Sequence, residues 1–448
     1  MKKIFGTDGA RGIVNEDLTC NLALSIGASV ARVLKKNKKK EKLRFIIGSD
    51  TRISKDMLTL AVATGVTSEG CDVLNVGVLP TPAISYLIGK YEADGGFVIS
   101  ASHNPSEYNG IKVLDERGIK LGDELEEACE DIILNDFKLN SKVNDCGKFE
   151  YIKTAKDDYI DHLIETIDED ISSIKILVDT ANGAASETAP DLFKKLGANV
   201  QFINVEPDGL NINKDAGSTH IEKLQSEVIS GGYDVGIAYD GDADRCILVD
   251  NTGREIDGDY ILAIIGSELK KSGKLKNNTI VGTIMSNLGF MKFCEKNDIN
   301  FVATKVGDKY VLESMLQNDY ILGGEQSGHI IFKEFANTGD GELTSLQILN
   351  TITKSGISLS SLANVMKKYP QALVNAKVSK DGKDAYLSDE DIKREVEKYE
   401  DALAGDGRIV VRPSGTENLI RVMIEGVDQE SIDKMCNDLA KFIEEKLK

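Results

Sequence analysis

The chain has 448 residues, a net charge of -19 and 41% hydrophobic residues, a composition typical of a globular protein with roughly two to four domains. The negative charge argues against non-specific binding to nucleic acid or to an anionic membrane surface. No apolar stretch approaches the ~18 residues that a membrane span needs. The first residues, MKKIFGTDGARG, lack the apolar segment of a signal peptide.

Seven cysteines are scattered along the chain. No two of them have the C-x-x-C spacing of a zinc or redox site. Free thiols in a large chain are typical of a reducing compartment, which predicts a cytoplasmic protein.

Three segments, beginning at Leu43, Ile174 and Asn278, share one pattern. Each has an apolar run, a loop of small polar residues, a helical pattern and a second apolar run. This order predicts strand, helix and strand, with the two strands parallel. The starts lie more than a hundred residues apart, so the pattern indicates repeated α/β domains.

The last segment differs, because GRIVVRPSGTENLIRVMIEG has two β runs around a polar loop. Ile420, Val422 and Ile424 alternate onto one face, and SIDKMCNDLAKFIEEKLK follows with helical spacing of its apolar residues. This pattern predicts a smaller α+β domain.

In the stretch FGTDGARG, residues 5–12, the glycines are three residues apart, which is not the dinucleotide-binding spacing. Arg11 stands among small residues. It could either bind an anion or simply occupy a structural turn.

The stretch VISASHNPSEYNGIK, residues 98–112, places polar residues at the end of an apolar run. Ser102 and His103 are adjacent, and adjacent side chains in extended backbone point apart. A hydrolase-type serine and histidine pair is therefore not expected, and G-x-S-x-G is absent. Ser100 and Ser106 are expected to be turn residues.

In AYDGDADRCILVD, Asp240, Asp242 and Asp244 follow the apolar run 235–239. Three carboxylates so close repel one another, and a hard cation such as Mg²⁺ would offset that cost. The alternative is an acidic hairpin turn. Arg245 beside the acids suggests that an anion also binds there.

In GGEQSGHI, residues 323–330, Glu325 and Ser327 could bind sugar hydroxyls, and His329 could act as an acid or a base. A structural histidine is the alternative. In VRPSGTENLIR, five polar or charged residues flank or follow Gly415 and suit a phosphate dianion. These are Arg412, Ser414, Thr416, Asn418 and Arg421. A hairpin turn with incidental arginines is the alternative.

Together, SASHNPSEYNGIK, DGDADR, GGEQSGH and RPSGTENLIR occur in the order seen in the α-D-phosphohexomutases. FGTDGARG and PDGLNINKDAGSTH also fit, so the chain resembles this family throughout its length. The resemblance implies four domains around a central cleft, three related mixed α/β domains and a smaller C-terminal α+β domain. The predicted bounds are 1–153 with a phosphoserine loop, 154–253 with a metal-binding loop, 254–367 with a sugar-binding loop, and 368–448 with a phosphate-binding loop.

The resemblance also implies roles for the motif residues. Ser102 would be the phosphorylated serine and would hold one Mg²⁺ per chain with the three aspartates. Glu325 and Ser327 would bind the sugar, and the RPSGTENLIR loop would bind the non-reacting phosphate. Arg245 would neutralise charge on the transferring phosphoryl group, and Lys112, His329 and Arg11 are candidates for proton transfer.

The implied reaction is isomerisation of glucosamine 6-phosphate to glucosamine 1-phosphate, supplying UDP-N-acetylglucosamine and cell-wall precursor synthesis. It would use a bound 1,6-bisphosphate of glucosamine or glucose as intermediate or activator. Gln326 favours this substrate over mannose or glucose phosphates, which are the alternative. A non-catalytic phosphosugar-binding protein is an alternative of another class. The resemblance also suggests a homodimer.

One departure from the family pattern lies in VGDKYV, where relatives often have arginine and this chain has Lys309. Lysine keeps the charge but lacks the planar fork for a bidentate phosphate contact.

Overall fold

The computed structural model describes residues 4–6, 8–40, 42–135, 137–139, 145–403, 405–414 and 418–447. The chain divides into two compact units. The first comprises residues 1–281 and 307–364, and the second comprises residues 282–306 and 365–448. The second unit is therefore built from two separate stretches of sequence.

The first unit begins with a six-stranded sheet in the order β1-β5-β4-β2-β3-β6. Its elements are β1 (Ala10–Ile13), α1 (Cys20–Lys38), β2 (Arg44–Ser49), α2 (Lys55–Ser68), β3 (Asp72–Val78), α3 (Thr81–Lys90), β4 (Gly95–Ile99), β5 (Tyr108–Asp115), α4 (Asp123–Leu134) and β6 (Phe149–Tyr151). Strand β2 runs parallel to β3 and β4, whereas β5 is antiparallel to β4 and β1.

Local sequence explains how these elements form. Helix α1 begins after Thr19, whose side chain accepts a hydrogen bond from the Leu22 N–H and so caps the helix. The β2 and β4 strands bury Phe45 and Phe97, whose ring centroids lie 5.5 Å apart. Burying such a side chain stabilises the fold by about 1.5–3 kcal/mol. The core of this sheet thus fixes the ends of β2 and β4, where polar loops begin.

A second sheet has the order β11-β10-β9-β7-β8. Its elements are α5 (Ala155–Ile164), β7 (Lys175–Asp179), α6 (Ala185–Lys195), β8 (Asn199–Ile203), α7 (Glu222–Gly231), β9 (Val235–Tyr239), β10 (Cys246–Asp250) and β11 (Glu255–Ile256). Strand β7 is parallel to β8 and β9, and β10 is antiparallel to β9. The predicted strand, helix and strand patterns beginning at Leu43 and Ile174 are confirmed.

The chain continues with α8 (Gly258–Lys271), β12 (Thr279–Thr283), α9 (Leu288–Lys296), β13 (Asn300–Thr304), α10 (Asp308–Asn318), β14 (Leu322–Gly324), β15 (Ile330–Phe332), α11 (Gly341–Ser355) and α12 (Leu359–Leu362). In the first unit, β12 pairs with β14 in parallel, and β14 pairs with β15 antiparallel. Strand β12, helix α9 and strand β13 confirm the third predicted pattern.

The second unit contains a three-stranded antiparallel sheet in the order β16-β18-β17. Its elements are β16 (Gln371–Lys377), α13 (Lys380–Ala385), α14 (Glu390–Ala402), β17 (Arg408–Pro413), β18 (Leu419–Glu425) and α15 (Gln429–Lys446). Ile420, Val422 and Ile424 are fully buried on one face of β18, as predicted, and α15 packs its apolar stripe against the sheet.

Short 3-10 turns occur at Gly217–Thr219, Lys276–Asn278, Ala363–Val365 and Tyr386–Ser388. Within the described ranges, no helix has the length and apolar content that crossing a membrane would require.

Candidate active site

The three aspartates of DGDADR form a buried cluster in the loop between β9 and β10. Asp240, Asp242 and Asp244 each offer a carboxylate oxygen, and these oxygens lie within 4.8 Å of one another. The fully buried strand β9 holds the start of this loop in place.

The electrostatics of the cluster fit a hard cation. Burial, together with the neighbouring charges of Asp244 and Asp242, raises the pKa of Asp240 well above its usual range. Oδ1 of Asp242 and Oδ1 of Asp244 are buried and have no hydrogen-bond partner among the described residues. Oxygen donors in this state are the ligands that Mg²⁺ prefers, so these residues could hold a divalent cation.

Ser102 lies beside this cluster, although its loop joins β4 to β5. Its hydroxyl donates a hydrogen bond of 2.6 Å to Oδ2 of Asp240, and the residue is 1% exposed. The fold therefore brings Ser102 next to the three aspartates, with which it is expected to share one metal ion.

The expected orientation of Ser102 and His103 is wrong. Ser102 has a φ of 52°, in the left-handed region, so the backbone is not extended here. As a result, Ser102 Oγ lies 3.3 Å from Nδ1 of His103. Burial, with smaller contributions from Arg245 and Arg11, lowers the pKa of His103 to about 4.

Lys112 also reaches the aspartate cluster. It lies on β5 opposite Val98, and its Nζ is 2.8 Å from Asp242 Oδ2 and 3.5 Å from Asp244 Oδ2. Burial alone would lower the pKa of this amine, but Asp242, Asp8 and Asp244 outweigh burial and raise it. Lys112 is thus a buried cation held among carboxylates.

The two predicted arginines of this region lie near the same acids. Arg11 is part of β1 rather than a turn, and its guanidinium forms an ion pair with Asp8. The backbone N–H of Arg245 donates to Asp240 Oδ1 over 3.2 Å, and its Nε lies 3.9 Å from Asp244 Oδ1.

The GGEQSGH loop joins β14 to β15. Glu325 Oε1 accepts a hydrogen bond from the Gly307 N–H over 2.9 Å, and Ser327 Oγ is buried with no hydrogen-bond partner in the described part of the chain. His329 is 3% exposed. Its Nε2 accepts from the Gly339 N–H over 3.0 Å, and its Nδ1 lies 3.6 Å from Asp244 Oδ2.

The RPSGTENLIR loop belongs to the second unit. Arg412 and Arg421 are direct partners across β17 and β18, and like charges so placed repel unless an anion or acid binds between them. Ser414 is buried, and its N–H donates to the Leu419 carbonyl. Asn418 is exposed. Gly415 and Thr416 lie outside the described residues.

Several residues near the cluster were not found from the sequence. Thr81 donates a 2.5 Å hydrogen bond from Oγ1 to Asp242 Oδ2. Lys120 bridges Asp308 and Asp8, at 2.7 Å and 2.5 Å. Asp8 lies within FGTDGARG and Asp308 lies within VGDKYV, so both acids stand in stretches that the sequence had already singled out.

Lys309, the departure from the family pattern, donates to Asp123 Oδ1 over 2.6 Å. A cavity of about 270 Å³ lies beside these groups, and its lining includes Lys112, Asp244 and His329.

Comparison with known proteins gives the class of protein. Four models of the phosphoglucomutase/phosphomannomutase family match in order: α/β/α domain I at residues 2–139, α/β/α domain II at 157–253, α/β/α domain III at 257–369 and the C-terminal domain at 373–442. The chain belongs to this family, the α-D-phosphohexomutases. The predicted three related α/β domains and smaller C-terminal domain are confirmed.

The similar proteins include mutases of amino sugars. A phosphoglucosamine mutase of Clostridium botulinum is 51% identical over 451 residues, with all of both chains covered. A phosphoglucomutase/phosphomannomutase family protein of Burkholderia thailandensis has a TM-score of 0.82 at 21% identity, covering 100% of this chain and 98% of that one.

The N-acetylphosphoglucosamine mutase of Aspergillus fumigatus has the same fold. Its complex with GlcNAc-6P and magnesium has a TM-score of 0.71 at 16% identity, covering 99% of this chain and 96% of that one. A variant in complex with glucose 1,6-bisphosphate has a TM-score of 0.66 at 18% identity and the same coverage.

Proposed function

We propose that the protein interconverts glucosamine 6-phosphate and glucosamine 1-phosphate through a phosphorylated Ser102. The observation that carries this proposal is the position of Ser102 Oγ, 2.6 Å from Asp240 inside a cluster of three buried aspartates. The 51% identity to phosphoglucosamine mutases over the full chain supports the choice of substrate.

In the first half of the reaction, phosphorylated Ser102 gives its phosphoryl group to the hydroxyl at carbon 1 of glucosamine 6-phosphate. The P–O bond to Ser102 Oγ breaks as the new P–O bond to the sugar forms. The sugar hydroxyl loses its proton and Ser102 Oγ gains one. The product is a bound glucosamine 1,6-bisphosphate.

In the second half, the bisphosphate turns so that its 6-phosphate faces Ser102. Ser102 Oγ then loses its proton and attacks that phosphorus, the P–O bond to the sugar oxygen at carbon 6 breaks, and that oxygen takes up a proton. Glucosamine 1-phosphate leaves and phosphorylated Ser102 is restored. A trace of glucose 1,6-bisphosphate or glucosamine 1,6-bisphosphate would phosphorylate an enzyme that has lost its phosphate.

Asp240, Asp242, Asp244 and phosphorylated Ser102 would hold one Mg²⁺ per chain. When bound, the ion would neutralise charge on the phosphoryl oxygens. The buried carboxylate oxygens without hydrogen-bond partners among the described residues support this assignment.

Lys112 and Arg245 bring positive charge to the site of transfer. Lys112 Nζ is engaged with Asp242, Asp244 and Asp8, so it is placed to stabilise charge and to give a proton rather than to remove one. Phosphoryl transfer passes through a loose transition state and depends mainly on positioning and electrostatics.

His329 and Arg11 are the remaining candidates for proton transfer. Since the Gly339 N–H donates to His329 Nε2, that nitrogen carries no proton in this arrangement. Arg11 presents the planar fork of N–H donors of a guanidinium, which suits binding a phosphate better than proton transfer.

For substrate binding, we propose that Arg412, Ser414 and Arg421, with Gly415, Thr416 and Asn418, hold the phosphate that is not reacting. The opposed pair of arginines on β17 and β18 supports this role, because two neighbouring guanidiniums offer several charged N–H donors to a phosphate dianion. Glu325 and Ser327 would bind hydroxyls of the sugar, supported by the buried Ser327 Oγ, which lacks a hydrogen-bond partner among the described residues.

A coupled assay of the purified protein tests the proposed substrate. It compares glucosamine 1-phosphate, glucose 1-phosphate and mannose 1-phosphate, each with Mg²⁺ and a trace of glucose 1,6-bisphosphate. The proposal predicts the highest kcat/KM for the glucosamine compound. A preference for glucose or mannose would make it a phosphoglucomutase or phosphomannomutase, and binding without turnover would make it a phosphosugar-binding protein.

We further propose that the enzyme acts in the cytoplasm as a homodimer and supplies UDP-N-acetylglucosamine synthesis. The seven cysteines, scattered along the chain with no C-x-x-C pair, support a reducing compartment. Light scattering of the purified protein would measure the oligomeric state. The domain bounds at 153, 253 and 367 stay predictions.

A further inference from the structure

Arg52 is an arginine buried completely within the first unit, just after β2. Its side chain is 0% exposed, and its Nε lies 2.9 Å from Oδ2 of Asp50, which is equally buried. Asp50 Oδ2 also accepts a 2.6 Å hydrogen bond from the Ser100 hydroxyl. Burying a charge is costly unless an oppositely charged partner lies close to it. The ion pair with Asp50 therefore holds the guanidinium of Arg52 in place.

The other N–H groups of Arg52 all point at one loop. One terminal nitrogen donates to the carbonyls of Pro105 and Tyr108, the latter over 3.0 Å. The second donates to the carbonyls of Ser102, over 3.0 Å, and Asn104, over 2.7 Å. All five N–H donors of the guanidinium are thus used, three of them on the loop that carries Ser102 and one on Tyr108, the first residue of β5.

Ser102 needs such support because its φ of 52° is disfavoured for a residue with a side chain. Conformations of this kind persist only where the surroundings over-determine them. Here the Ser102 N–H donates to Ser100 Oγ over 2.9 Å. Asn213 donates to the carbonyls of Ser102, over 2.9 Å, and Asn104, over 3.1 Å.

We propose that Arg52 is a positioning residue, which holds the backbone of Ser102 in the left-handed conformation that delivers its Oγ to Asp240. Arg52 does not touch the reacting atoms. This inference rests on the proposed function, in which Ser102 carries the phosphoryl group. It predicts that Arg52 affects the rate of phosphoryl transfer to and from Ser102 rather than the affinity of the enzyme for the sugar.

The test compares wild-type enzyme with Arg52→Lys, Arg52→Met, Asn213→Ala and a control, Arg254→Lys. Arg254 is another structural arginine, with Nε 2.8 Å from Asp250 Oδ2. In the described part of the chain, its side-chain hydrogen bonds go to Asp250, Asn364 and Ser360 rather than to the Ser102 loop. For each protein, mass spectrometry follows phosphorylation of Ser102 by glucose 1,6-bisphosphate. Steady-state assays give kcat and KM, and thermal unfolding gives Tm.

We expect Arg52→Lys and Arg52→Met to slow phosphorylation of Ser102 and to lower kcat by about 10- to 100-fold, since a displacement of ~1 Å can cost that much. KM should change less than about threefold. Lysine keeps the charge but has only three donors, so Arg52→Lys should not restore the rate. Arg254→Lys should keep the wild-type rate per folded molecule, whatever its Tm.

Three results would overturn the proposal. One is a normal phosphorylation rate in folded Arg52→Lys and Arg52→Met. Another is a loss of rate in Arg254→Lys as large as theirs. If neither Arg52 variant folds, Asn213→Ala decides, because it should slow phosphorylation with little change in Tm, and an unchanged rate would count against the proposal. Wild-type enzyme that never becomes phosphorylated on Ser102 would instead overturn the proposed function itself, and this inference with it.

Discussion

The Ser102 hydroxyl donates a hydrogen bond of 2.6 Å to Asp240, although the two residues lie 138 positions apart in the sequence. Each stands in a loop that follows a buried strand, β4 for Ser102 and β9 for Asp240. A phosphoryl group on Ser102 would therefore lie directly against the acidic cluster.

Ser102→Ala should reduce turnover by at least about 10³-fold, because it removes the atom that carries the phosphoryl group. The hydroxyl belongs to a buried residue. Loss of its hydrogen bond should still cost only about 1 kcal/mol of stability. Assay and thermal unfolding check both effects. Ser106→Ala, in the same loop, is the matched control and should keep near-normal turnover; activity in Ser102→Ala would contradict the mechanism.

Mg²⁺ should raise the Tm of the wild-type protein and leave that of Asp242→Asn nearly unchanged. An ion bound only to the folded state adds about 2.7 kcal/mol at a concentration of 100 Kd. Thermal unfolding across a Mg²⁺ series measures this without any need for turnover. Chelation should also stop the reaction, and added Mg²⁺ should restore it. Equal Tm gains in both proteins would count against the aspartate site.

Arg421→Gln should lower kcat/KM by roughly 10- to 100-fold, because a charge-assisted hydrogen bond to phosphate is worth about 1.5–3 kcal/mol. Stability should not fall by a comparable amount, since glutamine keeps a polar side chain at this strand position. Steady-state kinetics and Tm test this. Arg394→Gln, at an exposed position of α14, is the control; equal effects in both variants would contradict a phosphate site.

Glu342→Gln should make the protein more stable at high pH. Glu342 is fully buried in the first turn of α11, where Thr188 donates to its Oε1. Burial, with a smaller effect of Asp340, raises its pKa to about 8 from 4.5. Between those pH values the folded state binds more protons than the unfolded chain, so the free energy of unfolding falls as pH rises.

Glutamine does not titrate, so the Glu342→Gln variant should lose the part of the pH dependence of stability that comes from the Glu342 carboxyl. The free energy of unfolding of the variant, relative to that of the wild type, should therefore rise from pH 5 to pH 9 by on the order of a few kcal/mol. Denaturant unfolding at a series of pH values measures the difference. Two parallel stability curves would show that Glu342 does not titrate in this way.

Local patterns made much of the fold predictable. The three strand, helix and strand segments and the C-terminal hairpin with its helix depend on periodicity within about 30 residues. The aspartate cluster was equally visible, because its three acids lie within five positions. Its proximity to Ser102 has no local pattern and was implied by the family resemblance.

Other features depend on residues far apart in sequence. Arg52 donates to the loop of Ser102, which lies some 50 positions later in the sequence. Lys120 donates to Asp308, which lies 188 positions away. No local pattern marks such pairs. The left-handed backbone conformation of Ser102 was missed for a related reason. A serine after a strand is expected to have an extended backbone, and only contacts with distant residues hold Ser102 in the left-handed conformation.

The most direct test follows the phosphoryl group itself. Enzyme is incubated with glucose 1,6-bisphosphate carrying ³²P, freed of excess label, digested and mapped, and a parallel sample is chased with glucosamine 6-phosphate in rapid-quench mode. We expect label on the peptide containing Ser102, and we expect it to pass to the sugar at a rate no slower than kcat. Label that remains on Ser102 throughout turnover, or product that acquires label while Ser102 never does, would contradict it.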